Sequence, residues 1–420
     1  MMVLVFYVAL FVIAFAVVGL IRRRRAVHDF TSLKTVTFGD ESAISPDRIA
    51  SVISILAIFL IWGAFTGSRL VPVHVPGPFI GETGFTYVAQ NGAGARDEAR
   101  VSVIVHPLDD VKRPADVARG DGFAGDDSAA VAAWRSVLLK VQDNDDGAKD
   151  PGFGIVEVDG RAIEPGQTLR VADGTVTLTP RGSLNFQPDK GWQMEPIWLP
   201  APERVAARLV DIARDGYQNT PLWEHLGYSL LRVLAGFVTG AIIGIPLGYA
   251  MGLSNWFRGW FDPIVEFMRP VPPLALIPLV IIWFGIWETG KIVLLFLAAL
   301  WIMVIAARSG VSGVKLSKVH AAYSLGASKW QILRHVIIPN SLPDIFTGAR
   351  VAMGVCWGTV VAAELVAAEK GAGMMIIAAS KFQLTDIVVM GIILIGVIGY
   401  AIDILMRMAE RRLVPWKGRG

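Results

Sequence analysis

Long apolar stretches recur along this chain and are separated by shorter polar or basic ones. Because a helix needs about 20 apolar residues to cross the hydrocarbon core of a bilayer, stretches of this kind predict membrane-spanning helices. Prolines shorten and bend one of these predicted helices, at residues 272–286. We predict seven spans, at residues 2–21, 49–67, 226–252, 272–286, 292–307, 345–367 and 387–406.

Basic residues follow these stretches on alternate sides. Four arginines, residues 22–25, come directly after the first stretch, and such clusters favour the cytoplasmic side of a membrane. No small-residue cleavage site follows, so we predict a retained helix rather than a signal peptide. The N-terminus then faces outward and residues 26–48 form a cytoplasmic linker. Alternation of the spans places the later basic loops, which carry Arg258, Arg269 and Arg308, and the basic C-terminus in the cytoplasm.

Residues 68–196 interrupt the apolar pattern with a polar segment rich in aspartate and glycine. Apolar and polar residues alternate there in several short runs, which is the period of a strand with one buried face. Arg181 and Gly182 separate two of these runs as a turn would. We predict a small β-sandwich on the outer side, with strands around residues 85–89, 101–105, 176–178 and 184–186. For residues 128–141 the spacing fits either a strand or a short helix, and both stay open.

Two short segments carry separate predictions. Residues 143–147, D-N-D-D-G, are rich in oxygen ligands, but they lack the alternate spacing and closing glutamate of a calcium-binding EF-hand loop, so we favour a solvated turn. Residues 202–214 begin with Pro202 and Glu203, which suit the first turn of a helix. Their apolar residues recur at helical spacing, which predicts an amphipathic helix on the outer membrane surface.

Composition narrows the class of protein further. The 420 residues are 53% hydrophobic with a mean hydropathy of +0.52, which is typical of polytopic membrane proteins. The net charge of +3 gives no electrostatic support for nucleic-acid binding. The single cysteine, Cys356, excludes a disulfide framework or a Cys/His metal site within one chain. No nucleophile–base pair stands out, so we predict neither a bound metal nor a catalytic residue.

Three ionisable residues lie inside predicted spans, where charge is costly and tends to be functional. Arg232 and Glu364 fall in the outer parts of their spans, and Asp403 lies near the inner end of the last one, where a snorkelling or interface residue is typical. Arg232 could meet an anionic head group and Glu364 an amine, or the two could pair and lock the helices together. We take both as candidates for a translocation path, together with Trp357 and Thr359 from the span of Glu364.

Two glycine patterns need separate interpretations. Glycines recur every fourth residue along the third span, at Gly236, Gly240, Gly244 and Gly248, which favours close helix packing. Residues 285–292 almost match the phosphate-binding pattern G-x-x-x-x-G-K-[ST]. Isoleucine stands at residue 292, where the pattern requires serine or threonine, and no strand precedes the segment. We therefore predict a tight turn. With no other nucleotide motif in the sequence, we expect a partner to hydrolyse any ATP that drives this protein.

A basic, polar stretch, residues 315–343, separates the fifth and sixth spans. Its lysines favour the cytoplasmic side, and its small residues allow another backbone to come close. In order it contains His320, Ala321, Ala322, Gly326, Ala327, Val336, Ile338 and Pro339. This spacing resembles the coupling loop of ABC importer permeases, which reads Glu-Ala-Ala, three residues, Gly, nine residues, Ile-x-Leu-Pro. His320 stands where that family has glutamate.

Within that family the chain resembles the sulfonate/nitrate/taurine branch and is most similar to taurine permeases. The resemblance covers residues 49–67 and 197–420. The motifs that carry it are L-P-A-P at 199–202, D-P-I-V-E at 262–266, R-P-V-P-P-L-A at 269–275, I-W-F-G-I at 282–286, V-A-A-E-L at 361–365 and R-R-L-V-P-W at 411–416. Residues 1–48 and 68–196 are additions to the family pattern. The second addition resembles cadherin-like, immunoglobulin-type repeats in circularly permuted order, with residues 78–105 matching the last two strands.

The resemblance implies an all-α polytopic membrane protein with the type I ABC importer permease fold and an inserted β-sandwich. It implies a homodimer in the bacterial inner membrane that receives substrate from a periplasmic binding protein and docks a cytoplasmic ATPase dimer. The implied docking residues are His320, Ala321, Ala322, Gly326, Ala327 and Pro339. The ATPase would bind ATP and Mg²⁺, and this chain no cofactor.

The activity implied is import of taurine or a related sulfonate, with the chain itself not an enzyme. A permease for another alkyl sulfonate or for nitrate is the alternative of the same class. An alternative from a different class is a membrane-anchored periplasmic receptor or adhesion protein, in which the sandwich is the working part. The spacing of the coupling loop separates these classes, because a receptor has no need of such a loop.

Overall fold

The computed structural model describes residues 2–25, 48–110, 112–114, 122–148 and 150–416. The chain divides into two compact units, whose boundary falls after Glu203. Within the described ranges, six helices are long and apolar enough to cross a membrane, and a bent helix pair is the seventh candidate. The predicted cytoplasmic linker lies outside the described residues, apart from its last residue, Arg48.

Two apolar helices open the first unit, α1 (Met2–Arg25) and α2 (Arg48–Thr66). Tyr7 of α1 and Ala64 of α2 share a small core with Val71, which follows α2. Gly63 permits this packing, because a Cβ at that position would lie 2.3 Å from Cγ2 of Val71. Most other apolar side chains of α1 are exposed, as expected of a helix that faces lipid.

Nine strands complete the described part of the first unit. They form a five-stranded sheet in the order β3-β2-β1-β5-β6 and a four-stranded sheet in the order β4-β9-β8-β7. Neighbours are antiparallel except β2 and β3, which are parallel. The strands are β1 (Gly81–Gln90), β2 (Arg96–His106), β3 (Asp127–Ala132), β4 (Val137–Leu139), β5 (Gly154–Val158), β6 (Arg161–Ala162), β7 (Thr168–Val171), β8 (Gly174–Leu178) and β9 (Leu184–Pro188).

One hydrophobic core joins the two sheets. Phe85 of β1 and Phe186 of β9 stack across it with ring centroids 5.9 Å apart. The four predicted strands are confirmed, and so is the turn between β8 and β9, where Gly182 has a φ of 84°. The open question at residues 128–141 is answered by strands β3 and β4, with Trp134 between them at a φ of 63°.

The D-N-D-D-G segment does not form a wholly solvated turn, so that prediction is wrong for Asp145. A 3₁₀ turn, Val141–Asp143, leads the chain inward, and Asp145 is 8% exposed. Its Oδ1 accepts hydrogen bonds from the hydroxyl of Tyr87 at 3.1 Å and from the amide of Gly125 at 2.7 Å. These bonds compensate for burial of the carboxyl group, which would otherwise be unfavourable.

The second unit is helical. A 3₁₀ turn, Pro273–Leu276, precedes α6, and a π-helical turn, Leu333–Ile337, joins α9 to α10. Helix α3, which begins just before the unit boundary, has the predicted amphipathic character, with Val205 and Ile212 buried. The helices are α3 (Pro202–Asp215), α4 (Leu222–Leu253), α5 (Asn255–Met268), α6 (Ile277–Phe284), α7 (Glu288–Ser312), α8 (Leu316–Ser324), α9 (Lys329–Ile332), α10 (Ile338–Ala367), α11 (Ala372–Lys381) and α12 (Thr385–Leu413).

The glycines of α4 lie against α7. A Cβ at Gly236 would be 2.3 Å from Cβ of Leu295, and one at Gly240 would be 2.6 Å from Cβ of Ala299. Two turns further along, a Cβ at Gly248 would be 2.5 Å from a carbonyl oxygen of α7. Only glycine allows the two backbones to approach so closely, so the predicted packing role of this repeat is confirmed.

The fourth predicted span, residues 272–286, is not one continuous helix. Helix α6 has eight residues, or about 12 Å, against the roughly 30 Å of a bilayer core. Pro272, Pro273 and Pro278 lack amide donors, which prevents a longer regular helix here. The predicted inner loop before it contains helix α5, and the pair of α5 with the Pro273–Phe284 segment is bent by 93°. This pair is a broken span or a re-entrant segment.

Candidate functional site

Arg232 lies at the centre of a charge network where α4, α7 and α10 meet, which is buried at Arg232 and Glu364 and half-exposed at Glu288. Its side chain is 4% exposed. Nη1 donates to Oε1 of Glu364 at 2.6 Å, while Nε and Nη2 donate to the two carboxylate oxygens of Glu288 at 2.5 and 2.8 Å. Nη1 also donates to the carbonyl of Lys370 at 2.7 Å. The planar fork of a guanidinium suits this two-pronged binding of a carboxylate.

Glu364 is buried but fully hydrogen-bonded. Its Oε1 also accepts from the hydroxyl of Ser229 at 2.7 Å, and its Oε2 accepts from the amide of Gly373 at 2.9 Å. Gly371 leaves room for the carboxylate, because a Cβ there would lie 2.3 Å from Cδ of Glu364. Removal of one partner of such a buried pair typically costs about 3–5 kcal/mol, since the other charge is left uncompensated. The pair therefore locks α4 to α10.

The first turn of α11 is held by side chains of α4. The amide of Gly371 donates to Nδ1 of His225 at 3.2 Å, and the amide of Ala372 donates to Oγ of Ser229 at 3.0 Å. Because Nδ1 accepts a hydrogen bond, a neutral His225 carries its proton on Nε2, which faces the carbonyl of Tyr217 at 3.3 Å. Amides that a helix start leaves free are thus satisfied by α4.

Two lysines complete the charge balance of the network. Nζ of Lys291 donates to Glu288 at 2.8 Å, and Nζ of Lys370 donates to Glu224 at 2.8 Å. The ring of Tyr228 lies 5.4 Å from the Lys370 ammonium and 5.6 Å from the Arg232 guanidinium, within the range of cation–π attraction. Three cations and three carboxylates therefore compensate one another.

An open chamber of about 670 Å³ lies beside this network. One face of α11 lines it with residues at helical spacing, Met374, Ile377, Ala378 and Lys381. The remaining wall is formed by the start of α7, the end of α10 and adjacent loops: Gln218, Ile286, Trp287, Glu288, Lys291, Glu364, Leu365, Ala368, Glu369 and Phe382. The chamber combines apolar surface with charges of both signs.

The structure brings together only some of the residues predicted for a translocation path. Arg232 and Glu364 pair with each other, and Glu364 also lines the chamber. Trp357 is buried between α10 and α12, where its Nε1 donates to the carbonyl of Ile395 at 3.0 Å. Thr359 is 5% exposed, and neither it nor Trp357 lines the chamber.

Sequence reasoning missed four charged members of the network, Glu224, Glu288, Lys291 and Lys370. Lys291 drew attention only through the rejected phosphate-loop pattern, and Glu288 only as a neighbour of it. Each lies in the first turn of α7, inside a helix long enough to span a membrane. Extending the predicted span by one turn would have shown both as intramembrane ionisable residues. Within the described residues, no group of three or more histidine, cysteine, aspartate or glutamate side chains is arranged to hold a metal ion.

Asp403 has charged neighbours in the C-terminal half of α12. Its Oδ2 accepts from Nε of Arg407 at 2.8 Å, and Arg350 of α10 lies 3.9 Å away. Arg350 also pairs with Glu410. The predicted interface character of Asp403 is thus supported by ion pairs between α10 and α12.

The predicted coupling loop forms an exposed helical corner. Helix α8 ends in a Schellman motif, in which the amide of Ala327 donates to the carbonyl of Ala322 at 3.1 Å and that of Gly326 to Tyr323 at 2.9 Å. Gly326 has a φ of 83°, a conformation that strongly favours glycine. His320 and Ala321 are exposed on α8, and Leu325 at the corner is 88% exposed.

A groove of about 360 Å³ follows this corner. Its lining includes Ala322, Gly326 and Ala327 from the predicted coupling residues. The next turn starts with a capping box, in which Ser328 and Gln331 exchange hydrogen bonds at 2.7 and 3.3 Å. The small residues and the groove therefore form an exposed, shaped surface rather than a flat loop.

Pro339 lies in the first turn of α10, after the π-helical turn. Proline suits this position because a helix start leaves its amides unpaired. Its carbonyl accepts a hydrogen bond from Nε1 of Trp416 at 3.0 Å. The C-terminal R-R-L-V-P-W segment therefore contacts the base of the coupling corner, a contact that the sequence did not reveal.

The chamber and the coupling corner lie at opposite ends of the helical unit, since α7 runs from the chamber to the corner and α10 runs back. Helices long enough to span a membrane, a polar chamber at one end and an exposed corner at the other are typical of a multi-pass membrane permease. A family model for the binding-protein-dependent transport system inner membrane component matches residues 240–415. The chain belongs to this family of ABC importer permeases, in the taurine, sulfonate and bicarbonate branch.

Several relatives support this assignment. The taurine transport system permease protein TauC of Escherichia coli K12 is 46% identical over 226 residues, which are 54% of this chain and 82% of that protein. The putative aliphatic sulfonates transport permease protein SsuC of the same organism is 38% identical and matches 54% of this chain and 84% of its own length. The bicarbonate transport system permease protein CmpB of Synechococcus elongatus is 32% identical and matches 49% and 71%.

Among solved structures, an inward-facing methionine ABC transporter, MetNI, aligns with a TM-score of 0.39 and 20% identity, over 45% of this chain and 92% of that one. Permeases of this family are multi-pass inner-membrane proteins and are not themselves enzymes. Importer permeases in general work with an ATPase and a substrate-binding protein.

Proposed function

We propose that this chain is the permease subunit of an ATP-driven importer that moves taurine or a related sulfonate from the periplasm into the cytoplasm. The observation that carries this proposal is the 46% identity to a taurine permease over 226 residues. The match is not confined to a few helices, since it covers 82% of the length of that relative. Bicarbonate and nitrate are the competing substrates to test, because relatives of the branch are not confined to sulfonates.

Coupling to ATP enters through the exposed corner at residues 315–343. In the proposal, two cytoplasmic ATPase subunits bind ATP and Mg²⁺ and close, and the corners of a permease homodimer follow them. His320, Ala321, Ala322, Gly326, Ala327 and Pro339 form or support the docking surface. Rigid α7 and α10 carry the movement to the chamber, which opens and closes as in alternating access.

The first unit is an addition to this transport core. We propose that α1 and α2 cross the membrane and that the two-sheet domain stands in the periplasm, with a relationship to permuted immunoglobulin or cadherin-like domains. Two packed sheets with one core support that relationship. Arg48 and the arginines at residues 22–25 favour a cytoplasmic end for both helices.

Transport by the reconstituted complex tests the proposal. The chain, its ATPase and its binding protein are placed in proteoliposomes loaded with ATP, and uptake of labelled taurine is measured. We expect ATP-dependent uptake that unlabelled alkyl sulfonate reduces more than nitrate or bicarbonate does. Uptake of nitrate or bicarbonate without uptake of taurine would reject the substrate while keeping the permease class.

A membrane-anchored receptor remains the candidate from a different class, since the two-sheet domain could be its working part. The Schellman corner and its groove support the permease, because an exposed, shaped corner suits the docking of an ATPase and has no role in a receptor. Copurification separates the two. A permease retains its ATPase in detergent, whereas a receptor recovers none.

A further inference from the structure

The chamber holds charged groups of two kinds. Glu288, Lys291 and Glu364 belong to the buried network, where each is already bound to an oppositely charged partner. Lys381 and Glu369 also line the chamber. Both are exposed, and neither forms an ion pair among the residues that the structure describes. The chamber therefore presents one ammonium and one carboxylate outside the ion pairs of the network, with the Lys370 ammonium close enough to Glu369 to interact with it electrostatically.

We propose that this chamber binds the transported molecule as a small zwitterion, with Lys381 facing its anionic group and Glu369 its ammonium. This inference rests on the proposed function and deepens it, because it assigns residues and a charge type to the substrate. The lining offers one ammonium and one carboxylate outside ion pairs, and an aminosulfonate likewise carries one charge of each sign. Nitrate, bicarbonate and a simple alkyl sulfonate carry only a negative charge and match this lining less well. Charge-assisted hydrogen bonds to each end fix its orientation.

The rest of the lining fits the body of such a molecule. Met374, Ile377 and Ala378 form an apolar stripe on α11 that ends at Lys381, and Trp287 adds an aromatic face on the α7 side. A short alkyl chain between two charged ends can contact this stripe while its ends reach water-accessible charges. Binding sites for small molecules commonly combine an apolar lining with a few placed polar groups.

The buried network supports this arrangement in two ways. Because Arg232 and Lys291 are compensated by Glu288 and Glu364, they do not add an excess of positive charge that would favour any anion over a zwitterion. The same bonds fix the start of α7 and the end of α10, which are two walls of the chamber. Lys381 lies in the last turn of α11, whose first turn is held by α4.

Binding to the assembled permease–ATPase complex in nanodiscs tests the inference directly, by calorimetry without the binding protein. The probes are taurine, propane-1-sulfonate, which lacks the ammonium, and propylamine, which lacks the sulfonate. For the wild type we expect taurine to bind about tenfold more tightly than either analogue, which corresponds to about 1.4 kcal/mol. Equal affinities for the three probes would overturn the proposal.

Two single variants separate the assigned roles. Glu369→Gln should remove the advantage of taurine over propane-1-sulfonate and leave the affinity for propane-1-sulfonate unchanged. Lys381→Met should remove the advantage of taurine over propylamine and leave propylamine unchanged. A variant that weakens all three probes equally, or none of them, contradicts its assigned role. Thermal unfolding of each variant shows whether the fold is intact.

Matched controls come from charges outside the chamber. Asp215→Asn removes an exposed carboxylate at the end of α3, and Lys190→Met removes an exposed ammonium just after β9. Both should retain the wild-type order of affinities. Taurine uptake by the wild-type complex is measured in parallel. Its absence rejects the proposed function, whereas uptake without the expected selectivity rejects only the chamber assignment.

Discussion

At the scale of single residues, the hydroxyl of Tyr87 in the two-sheet domain has more acceptors than it can serve. The carbonyl of Gly125, Oδ2 of Asp127 and Oδ1 of Asp145 lie 3.1, 3.2 and 3.1 Å from it, and a phenol has one proton to donate. Burial, with Asp145 and Asp126 close by, raises the pKa of Asp127 to about 7, although the hydrogen bond from Tyr87 opposes this. Asp127 therefore keeps its proton close to neutral pH.

We expect the two-sheet domain to lose stability as the pH rises. The unfolded carboxyl of Asp127 titrates near 3.8 and the folded one near 7, so the folded state binds more protons between these values. The stabilisation is complete below the lower pKa and disappears as the pH passes the upper one. Since the side chain is only half-buried, solvent screening reduces the effect to about 1–2 kcal/mol. Hydrogen exchange of β1 amides in the full chain, corrected for intrinsic rates, measures it.

Asp127→Asn is the control for that experiment, because it removes the titrating group and keeps the shape. In this variant the protection of β1 should vary less with pH than in the wild type. Protection that increases from about pH 5 to about pH 8 in the wild type would contradict the assignment, since the sign of the linkage is fixed by the raised pKa.

Gly326 is a second residue whose backbone decides its role. A Cβ at Gly326 would have open space around it, but the φ of 83° is a left-handed conformation. This conformation costs about 1–2 kcal/mol for a residue other than glycine, so any side chain strains the Schellman corner. We expect Gly326→Val to reduce copurification of the ATPase several-fold while membrane insertion is unaffected. Gly354→Val on α10, also in open space but without a positive φ, is the control. Full ATPase recovery with Gly326→Val would count against the docking role.

At the scale of elements, α1 is tied to the chain that follows α2. The hydroxyl of Tyr7, which is 4% exposed, donates to the carbonyl of Val73 at 2.9 Å. This segment is bonded in turn to the chain that leaves the sheets, since Gln193 donates to Val75 at 3.0 Å and Glu203 accepts from Ser68 at 2.6 Å. Helix α1 thus braces the two linkers of the sheet domain.

We expect Tyr7→Phe to destabilise the contact between α1 and the segment after α2 by about 1 kcal/mol, because it removes one partly buried hydrogen bond and keeps the ring. Faster hydrogen exchange in residues 68–79 would report the loss. Phe15→Leu changes a side chain of the same helix that is 71% exposed and should leave the exchange of that segment as it is. Unchanged exchange in Tyr7→Phe would show that the contact does not hold the linker.

The packing of α4 against α7 allows a sharper test. A side chain at Gly240 meets Cβ of Ala299 at 2.6 Å and the carbonyl oxygen of Phe296 at 3.0 Å, so the backbones must separate. Overpacking of this kind costs about 1–3 kcal/mol. We expect Gly240→Val to lower the thermal unfolding temperature in detergent. At Gly227, which is also on α4, no neighbouring group lies within 4 Å of the position that a Cβ would take, and the same change there should have little effect. Equal shifts at both positions would argue against the packing role.

The same elements show what the sequence could predict. Spacing of four identified the glycine face of α4, and alternation identified β1, β2, β8 and β9, because these are periodic and local. The pairing of Glu288 with Arg232 was not predictable in this way, since it joins residues 56 positions apart on different helices. The break at α6 was only partly visible, because prolines show where a regular helix fails and not which way the chain then turns.

At the scale of the whole molecule, the two-sheet domain is an insertion whose ends meet. The amide of Phe79 donates to the carbonyl of Asp189 at 2.9 Å, immediately outside β1 and β9. A short Gly-Ser connection can therefore replace residues 80–188 and leave the bonds between the linkers and α2 in place, among them that of Met194 to Phe65 at 2.8 Å. Domains with adjacent ends tolerate such exchange.

We expect this deletion to leave membrane insertion and ATPase copurification at wild-type levels, because the chamber and the coupling corner belong entirely to the second unit. Taurine binding to the deleted complex in nanodiscs should also stay within about twofold of the wild type, since no residue of the sheets lines the chamber. Copurification followed by calorimetry measures both. Uptake in proteoliposomes then shows what the domain contributes: a fall in uptake with intact ATPase recovery assigns the domain to delivery of substrate. Loss of ATPase recovery itself would refute the view that the transport core folds and couples without this domain.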